Sequence, residues 1–451
     1  MADGKVVYAT RCSIAYRMRY VIGLAILNLT QATVMPSVPY ILINYFASSH
    51  GGGDCETTPS SPPCRKGAAD AAFYQGWSNA IGNLIAMIFA LMLGSYSDDV
   101  GRRPLLRVVG LLTMMPLFAL ALHISADLDL MVYLILMPGT RAFDITGVFF
   151  ALLSDVIPDP QERAVAFGTG IGMLTPCVAV IIPAAHMLPC KVALSISLLA
   201  ALCKLVYLFF ILPETAACTG RRATPKNPMV TAQLAVGIVQ RQGHAFQIVM
   251  ILAIFILAVS GGGIVMPPFM TGYLGIRRSD RLAIILAGGV SALVGFTVLL
   301  KPMMFKFGEI RVLQVSLVAC AMFACLCPAC TEQWHLMLLV FIFGGLSFIS
   351  APVVQSIKSN VVSQDEQGLF QGFMASVGKA MTTLGSLAFS FLFKYTTDGG
   401  RVEAVSALIV PFWAISALIS VSVVLAFRLP RTLQPLPSTA TVSGAELPSL
   451  I

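Results

Sequence analysis

The sequence predicts an all-α membrane protein, with twelve transmembrane helices in two pseudo-symmetric six-helix bundles. Three observations carry the prediction. Of 451 residues, 57% are hydrophobic and 11% charged, with a mean hydropathy of +0.84. Soluble domains are about 25% charged, so this chain has too little polar surface to face water on all sides. Its apolar residues fall into twelve runs, each long enough to cross the ~30 Å hydrocarbon layer as a helix. Two charged signatures also recur at a nearly constant offset, which marks an internal duplication.

The runs, numbered here as spans 1 to 12, are 20–46, 71–95, 104–124, 130–153, 163–187, 191–213, 246–274, 282–306, 312–330, 334–358, 369–393 and 403–427. Their periodicity is helical or continuously apolar, without the alternation over about ten residues that a membrane barrel needs. The remaining segments are short: an N-terminus at 1–19, a loop at 47–70, a linker at 214–245 and a tail at 428–451. The expected domains are therefore a bundle over 20–213 and a second over 246–427.

Lys and Arg concentrate on the cytoplasmic side of membrane proteins. With the N-terminus inside, about 18 of the 29 basic residues fall in cytoplasmic segments or the adjoining span ends, among them Lys5, Arg11, Arg17, Arg19, Arg221 and Arg222. Eight fall outside, chiefly Arg277, Arg278 and Arg281. Both termini are expected in the cytosol of a multi-pass protein of the plasma membrane or an endomembrane. The net charge of +8 follows from this asymmetry, so no nucleic-acid partner is expected. The first span is too long, and lacks the small-residue site, for a cleaved signal peptide.

Most of the eleven cysteines lie inside spans, where they act as small apolar side chains. Cys55 and Cys64 instead flank the Pro/Ser-rich part of the 47–70 loop, on the oxidising side, and form a candidate disulfide. CPAC at 327–330 has no second pair, and none of the five histidines stands in an HExxH pattern, so no metal site is expected. GFMASVGKA at 372–380 fails as a phosphate loop: its glycines are one residue too far apart and Ala380 replaces the Ser or Thr. The chain reads as neither an enzyme nor a cofactor carrier.

The duplication is seen by setting LSDVIPDPQERAVAFG (153–168) on KSNVVSQDEQGLFQG (358–372). Ser154 falls on Ser359, Glu162 on Glu366 and Gly168 on Gly372; Gly101 falls on Gly308 at a similar offset. A parallel repeat implies a binding site near the bilayer midplane between the halves. Spans 1, 4, 7 and 10 each carry paired helix breakers: Pro36 and Pro39; Pro138 and Gly139; Gly261 to Gly263 with Pro267 and Pro268; Gly344 and Gly345 with Pro352. Such breaks are tolerated where they face protein or a water-filled cavity. Carbonyls freed near 260–268 and 344–352, with Ser260 and Ser350, are binding candidates.

Charge inside a membrane marks function by default, because it costs roughly 2.5–3.5 kcal/mol at the centre of a span. Asp144 is the one acid deep in a span, and Arg141 precedes it by one turn on the same helical face. Lys379 lies near the middle of span 11 and Lys204 in span 6. Asn28 and Gln31 are the strong polar groups of span 1.

GSYSDDVGRRPLL (94–106) between spans 2 and 3, SDVIPDPQER after span 4 and LPET (212–215) at the end of span 6 resemble the signatures of the major facilitator superfamily. DEQGLFQG (365–372) and VFFALLSDV (148–156) resemble its tetracycline-resistance and hippocampus-abundant-transcript branch, while SDDVGRRPLL is similar to its folate transporter branch. The resemblance implies the major facilitator fold and a secondary active transporter that moves a small organic solute by alternating access, coupled to protons, as a symporter or antiporter. It also implies an inner latch of Gly94, Asp98, Gly101, Arg102, Arg103, Asp155 and Arg163. There Asp98 meets the positive N-terminal end of helix 11 near Leu369, and Arg102 pairs with Asp155.

In that fold span 4 lines the central cavity. Arg141 and Asp144 then either neutralise each other or handle substrate and protons, together with Lys379, Gln31, Asn28, Ser260 and Ser350. Span 6 is peripheral there, so Lys204 is expected to snorkel to the interface. One acid against two bases makes the cavity mildly cationic and favours an anionic solute. The membrane acids of tetracycline pumps are missing, and Arg141 stands 14 residues before Asp155 rather than at the antiporter spacing of about 19. The competing readings are a folate-like organic anion/proton symporter and a non-transporting receptor or scaffold on the same fold. The expected partners are a small-molecule substrate, protons and the lipid bilayer, with the chain monomeric.

Overall fold

The computed structural model describes residues 19–20, 22–52, 54–55, 58–59, 61–100, 102–142, 184–185, 187–213, 233, 236–237, 239–241, 243–361, 367–398 and 405–430. Among them there is no strand, and each expected span but the fifth contains helix; span 4 is described only to Ala142, and the fifth lies almost wholly outside the described residues. Among the described residues eight helices are long and apolar enough to cross a membrane: Ile22–Ser49, Arg103–Ala126, Cys190–Ile211, His244–Thr271, Asp280–Phe307, Glu309–Ala329, Gln333–Val354 and Ile409–Phe427. Span 2 forms the longest helix, Pro62–Val100, extending beyond its apolar run at both ends. Span 11 forms Gln367–Asp398.

Apolar residues cover all sides of these helices, as a lipid-facing bundle requires. In Val405–Phe427, Phe412, Ile415, Ile419 and Ala426 recur at helical spacing and are buried, while Trp413, Val421 and Val424 lie exposed. The outer face meets lipid and the inner face meets other helices.

Two of the proposed breakers end a helix as their chemistry requires. Pro36 lacks an N–H and crowds the carbonyl four residues back, at Ala32. Span 1 accordingly leaves α-helix at Ala32–Val34, turns, and restarts at Val38–Ser49. Pro352 does the same to Phe348, and Gln333–Phe348 gives way to Ser350–Val361. In span 7 the helix runs through Gly261 to Gly263 and widens into a π turn at Phe269–Tyr273 after the Pro pair. Span 4 is helical through Pro138 and Gly139 within Met131–Ala142. At Gly308, the echo of Gly101, the chain turns between spans 8 and 9 with φ 78°, a conformation that favours glycine.

Three buried apolar clusters hold the bundle together. One joins spans 1, 2, 3, 4 and 6 through residues such as Leu42, Phe46, Leu120 and Leu130. A second joins spans 7, 9, 10, 11 and 12. The third crosses between the bundles, packing Ala69 and Ala72 of span 2 among Phe269, Phe389 and Phe393. Cys55 and Cys64 are bonded, closing the loop between spans 1 and 2. The end of the molecule carrying that loop is called the disulfide end below.

Candidate functional site

Two polar constellations stand out among the described residues, one within the first six spans and one between the bundles. The first surrounds Lys204. Span 6 was expected to send this side chain to the interface. The structure corrects that expectation: Lys204 is 2% exposed and turned inward. Its ammonium donates to Gln31 Oε1, to Thr113 Oγ1 at 2.9 Å and to Asn28 Oδ1 at 3.3 Å. Each partner has its own donor engaged elsewhere. Asn28 Nδ2 bonds Leu24 O at 2.9 Å, Gln31 Nε2 bonds Thr113 O at 3.2 Å, and the Thr113 hydroxyl bonds Gly110 O at 3.0 Å. Three oxygens are thereby left facing the three N–H groups of one ammonium.

Snorkelling fails here because these oxygens offer the charge, in place, what the interface would have offered. Gln31 ends the first half of span 1, directly before the break at Ala32–Val34. Just beyond it, Ser197 of span 6 holds Thr33 Oγ1 at 2.7 Å and accepts from Val34 N at 3.0 Å. The break of span 1 is thus pinned to span 6 from both sides.

The second constellation is a seam at the disulfide end, where span 2 runs along span 11. Asp70 takes His50 Nε2 on Oδ2 at 2.8 Å and Lys394 Nζ on Oδ1 at 2.9 Å, so the ion pair with Lys394 joins the two bundles. Burial pushes the Asp70 carboxyl up. The hydrogen bonds from His50 and Lys394, with the charge of both, outweigh it and hold the group below its ordinary value.

Lys394 Nζ also lies 4.4 Å from the centre of the Phe73 ring, and Phe391 packs edge-on against Phe73 and Trp77. Gly76 lets the helices meet: a Cβ there would lie 2.5 Å from that of Ser390. Nearby, Arg281 of span 8 stacks its guanidinium 4.6 Å over the Tyr40 ring of span 1. Sequence placed Arg281 in a basic cluster on the outer side, just before span 8. It is 4% exposed and buried in the seam, because its helix begins one turn earlier than its apolar run and carries it inside.

Other sequence-proposed residues fall as follows. Ser260 donates to Leu257 O within its own helix, and Ser350, buried, donates to Ser347 O across the break of span 10. Arg103 was grouped with the inner latch. Its described hydrogen bonds run to Leu208 O and Phe209 O of span 6, where Arg107 joins it on the same carbonyls. That is where a helix C-terminus favours cations. Lys379 is half-buried on span 11. Gly94, Asp98 and Arg102 lie in helical backbone, as does Arg141, and their side-chain surroundings are outside the described residues. Gly101, Asp144, Asp155 and Arg163 are themselves outside them.

Residues 20–386 match the Major Facilitator Superfamily model. The chain belongs to that superfamily. This major facilitator protein is 27% identical over 359 residues to the class E tetracycline resistance protein of Escherichia coli, covering 74% of this chain and 81% of that one. Its fold is similar to the crystal structure of the human organic anion transporter MFSD10 (TETRAN), with TM-score 0.64 and 15% identity over 91% of this chain and 98% of the other. It is also similar to the crystal structure of a point mutant of the nucleoside transporter NupG, with TM-score 0.57 and 14% identity over 90% and 98%. It is an integral multi-pass transporter rather than an enzyme.

For this major facilitator transporter, sequence reasoning missed the seam altogether. A trace existed: Asp70, Lys394 and Arg281 each stand within a few residues of a span end on the same side. Charges so placed lie within reach of one another once the bundles close.

Proposed function

We propose that this transporter moves a small organic solute bearing an anionic group, by alternating access and coupled to protons. On this reading, the conformation described is closed toward the disulfide end. The observation that carries the reading is the seam: two bundles meeting at one end through an ion pair, a cation–π contact and apolar packing. Contacts of this kind are weak one by one and separable together, as a closure that opens and shuts needs. The positive-inside asymmetry supports a disulfide end facing away from the cytosol and both termini within it.

The charges favour an anionic solute. Lys204 has neutral oxygens for partners, and Arg281 has no ion pair among the described residues. Of the two readings of Arg141 and Asp144, proton handling by Asp144 is the one that coupling requires.

The test is flux in proteoliposomes with and without an imposed pH gradient. A panel pairs carboxylates with their neutral amides and with amines of equal size, and Asp144→Asn is run beside the parent. Gradient-driven uptake of carboxylates that Asp144→Asn abolishes is expected. A clear preference for amines overturns the anionic assignment, and uptake indifferent to the gradient overturns the coupling.

A further inference from the structure

We propose that Arg281 is a substrate-recognition residue. It takes the anionic group of the solute at the disulfide-end mouth, and the Tyr40 ring fills that place when the mouth is shut. The proposal rests on the anionic reading above and names the group that would enforce it.

The residue is built into the seam rather than left on the surface. Its side chain is 4% exposed although it stands in the first turn of span 8. Three elements face it. Span 1 offers the Tyr40 ring, 4.6 Å away, and its hydroxyl; span 7 offers the Pro267 carbonyl, 3.4 Å from Nη2; and on its own helix Asp280 stands next in sequence, where neighbours do not share a face. The Pro267 carbonyl is already taken by the Thr271 hydroxyl at 3.0 Å. No ion pair to Arg281 exists among the described residues, and its buried Nε has no hydrogen-bond acceptor.

A guanidinium carries five N–H donors in a planar fork. Leaving a buried donor unpaired is costly, and chains seldom keep such a group without a use for it. The fork matches one ligand class best: a planar or tetrahedral oxyanion that accepts two parallel hydrogen bonds, such as a carboxylate, sulfonate or phosphonate.

Position supplies the second half of the argument. Tyr40 belongs to the first bundle, whereas Arg281 and Pro267 belong to the second. When the bundles part at this end, the ring leaves with its bundle and the guanidinium stays, facing the mouth with its donors free. An oxyanion entering from that side finds the fork unoccupied. When the seam closes, Tyr40 returns with its ring over the guanidinium face and its hydroxyl beside the donors, and it crowds out the anion, which favours passing the solute onward. The ring attracts a cation electrostatically but accepts no bidentate hydrogen bond, so it holds the place without mimicking the ligand.

The test uses full-length protein in proteoliposomes with three probe pairs: benzoate and benzamide, 2-naphthoate and 2-naphthamide, glutarate and glutaramide. Binding is read by competition against labelling of Arg281 with phenylglyoxal, located by mass spectrometry, and transport is read as KM. Carboxylates are expected to slow labelling of Arg281 at least fivefold while the amides change it less than twofold. Tyr40→Leu, which removes the ring's competing face, is expected to speed labelling and lower the carboxylate KM.

Arg281→Met retains the packing and is expected to raise the carboxylate KM at least tenfold. Arg281→Lys falls between the two, since an ammonium offers charge without the fork. Variants are compared only at matched size-exclusion profiles, and the Tyr40→Leu readouts, which leave Arg281 in place, decide the matter if Arg281→Met does not fold. If the parent itself fails to prefer carboxylates over amides, the anionic reading has failed. If the parent prefers them and Arg281→Met keeps both preference and KM, Arg281 is not the recognition residue although the reading stands. Labelling indifferent to all three carboxylates in parent and Tyr40→Leu alike also overturns the proposal.

Discussion

Replacing Gln31 by Leu removes one of the three oxygens around the Lys204 ammonium and leaves the others in place. One N–H of a buried charge then has no acceptor. A hydrogen bond to a charged group is worth about 1.5–3 kcal/mol, and at about 1.4 kcal/mol per tenfold that corresponds to unfolding roughly 10–150 times faster. The loss also frees span 1 from Thr113, whose carbonyl takes the Gln31 amide. The assay is the half-life of monodisperse protein in detergent at a fixed temperature, a measure of kinetic stability. Adding Lys204→Met removes the dehydrated charge as well as its donors. Replacing a buried charge by an apolar side chain of similar length is often neutral or stabilising, so the double variant is expected to outlast Gln31→Leu alone. A Gln31→Leu half-life within twofold of the parent would refute the cage, as would single effects that simply multiply in the double variant.

The seam and the loop give further tests, all read with a membrane-impermeant maleimide. With Ala72→Cys as reporter, Asp70→Asn is expected to speed labelling by about fivefold, since a partly exposed ion pair is worth about 1 kcal/mol or less, and high salt narrows the difference. Because Asp70 titrates below the ordinary carboxylate value of about 3.9 when the seam is shut, its contribution is complete above that value and is lost as pH falls through the lower one. In a His50→Gln background Asp70 therefore adds no slope to labelling between about pH 5 and 8, and a titration midpoint in that window that Asp70→Asn then abolishes contradicts the ion pair. Gly76→Ala forces spans 2 and 11 apart at Ser390; overpacking costs about 1–3 kcal/mol, so labelling rises more than for Asp70→Asn and returns when Ser390→Gly is added. Cys55→Ala releases the Cys64 thiol, which labels from the non-cytosolic side of sealed cells; labelling from the cytosolic side alone would invert the topology.

These tests fall mainly on residues whose roles depend on partners far along the chain. Asn28 and Gln31 were visible as the polar groups of span 1, and their spacing of one helical turn already put them on a common face. What they face could not be read, because Lys204 lies in another span and its rotation about that helix is set by neighbours. The expected snorkelling followed from composition alone. It failed because three oxygens from spans 1 and 3 made burial cheaper than reaching the interface. Arg281 was misjudged for a similar reason, since a residue near a span end reads as interfacial until the opposite bundle covers it.

By itself, the sequence determined the properties that depend on a residue and its near neighbours. These are the apolar runs, the helical state of those the structure describes, the breaks at Pro36 and Pro352, and Cys55 and Cys64 as a candidate pair across a short loop. Each follows from local geometry and from the solvent a segment must face. Only the tertiary structure decided which charges meet: Lys204 with three neutral oxygens, Asp70 with Lys394, Arg281 with Tyr40. Those contacts depend on how each helix is rotated and where two bundles touch, and no local preference carries that information.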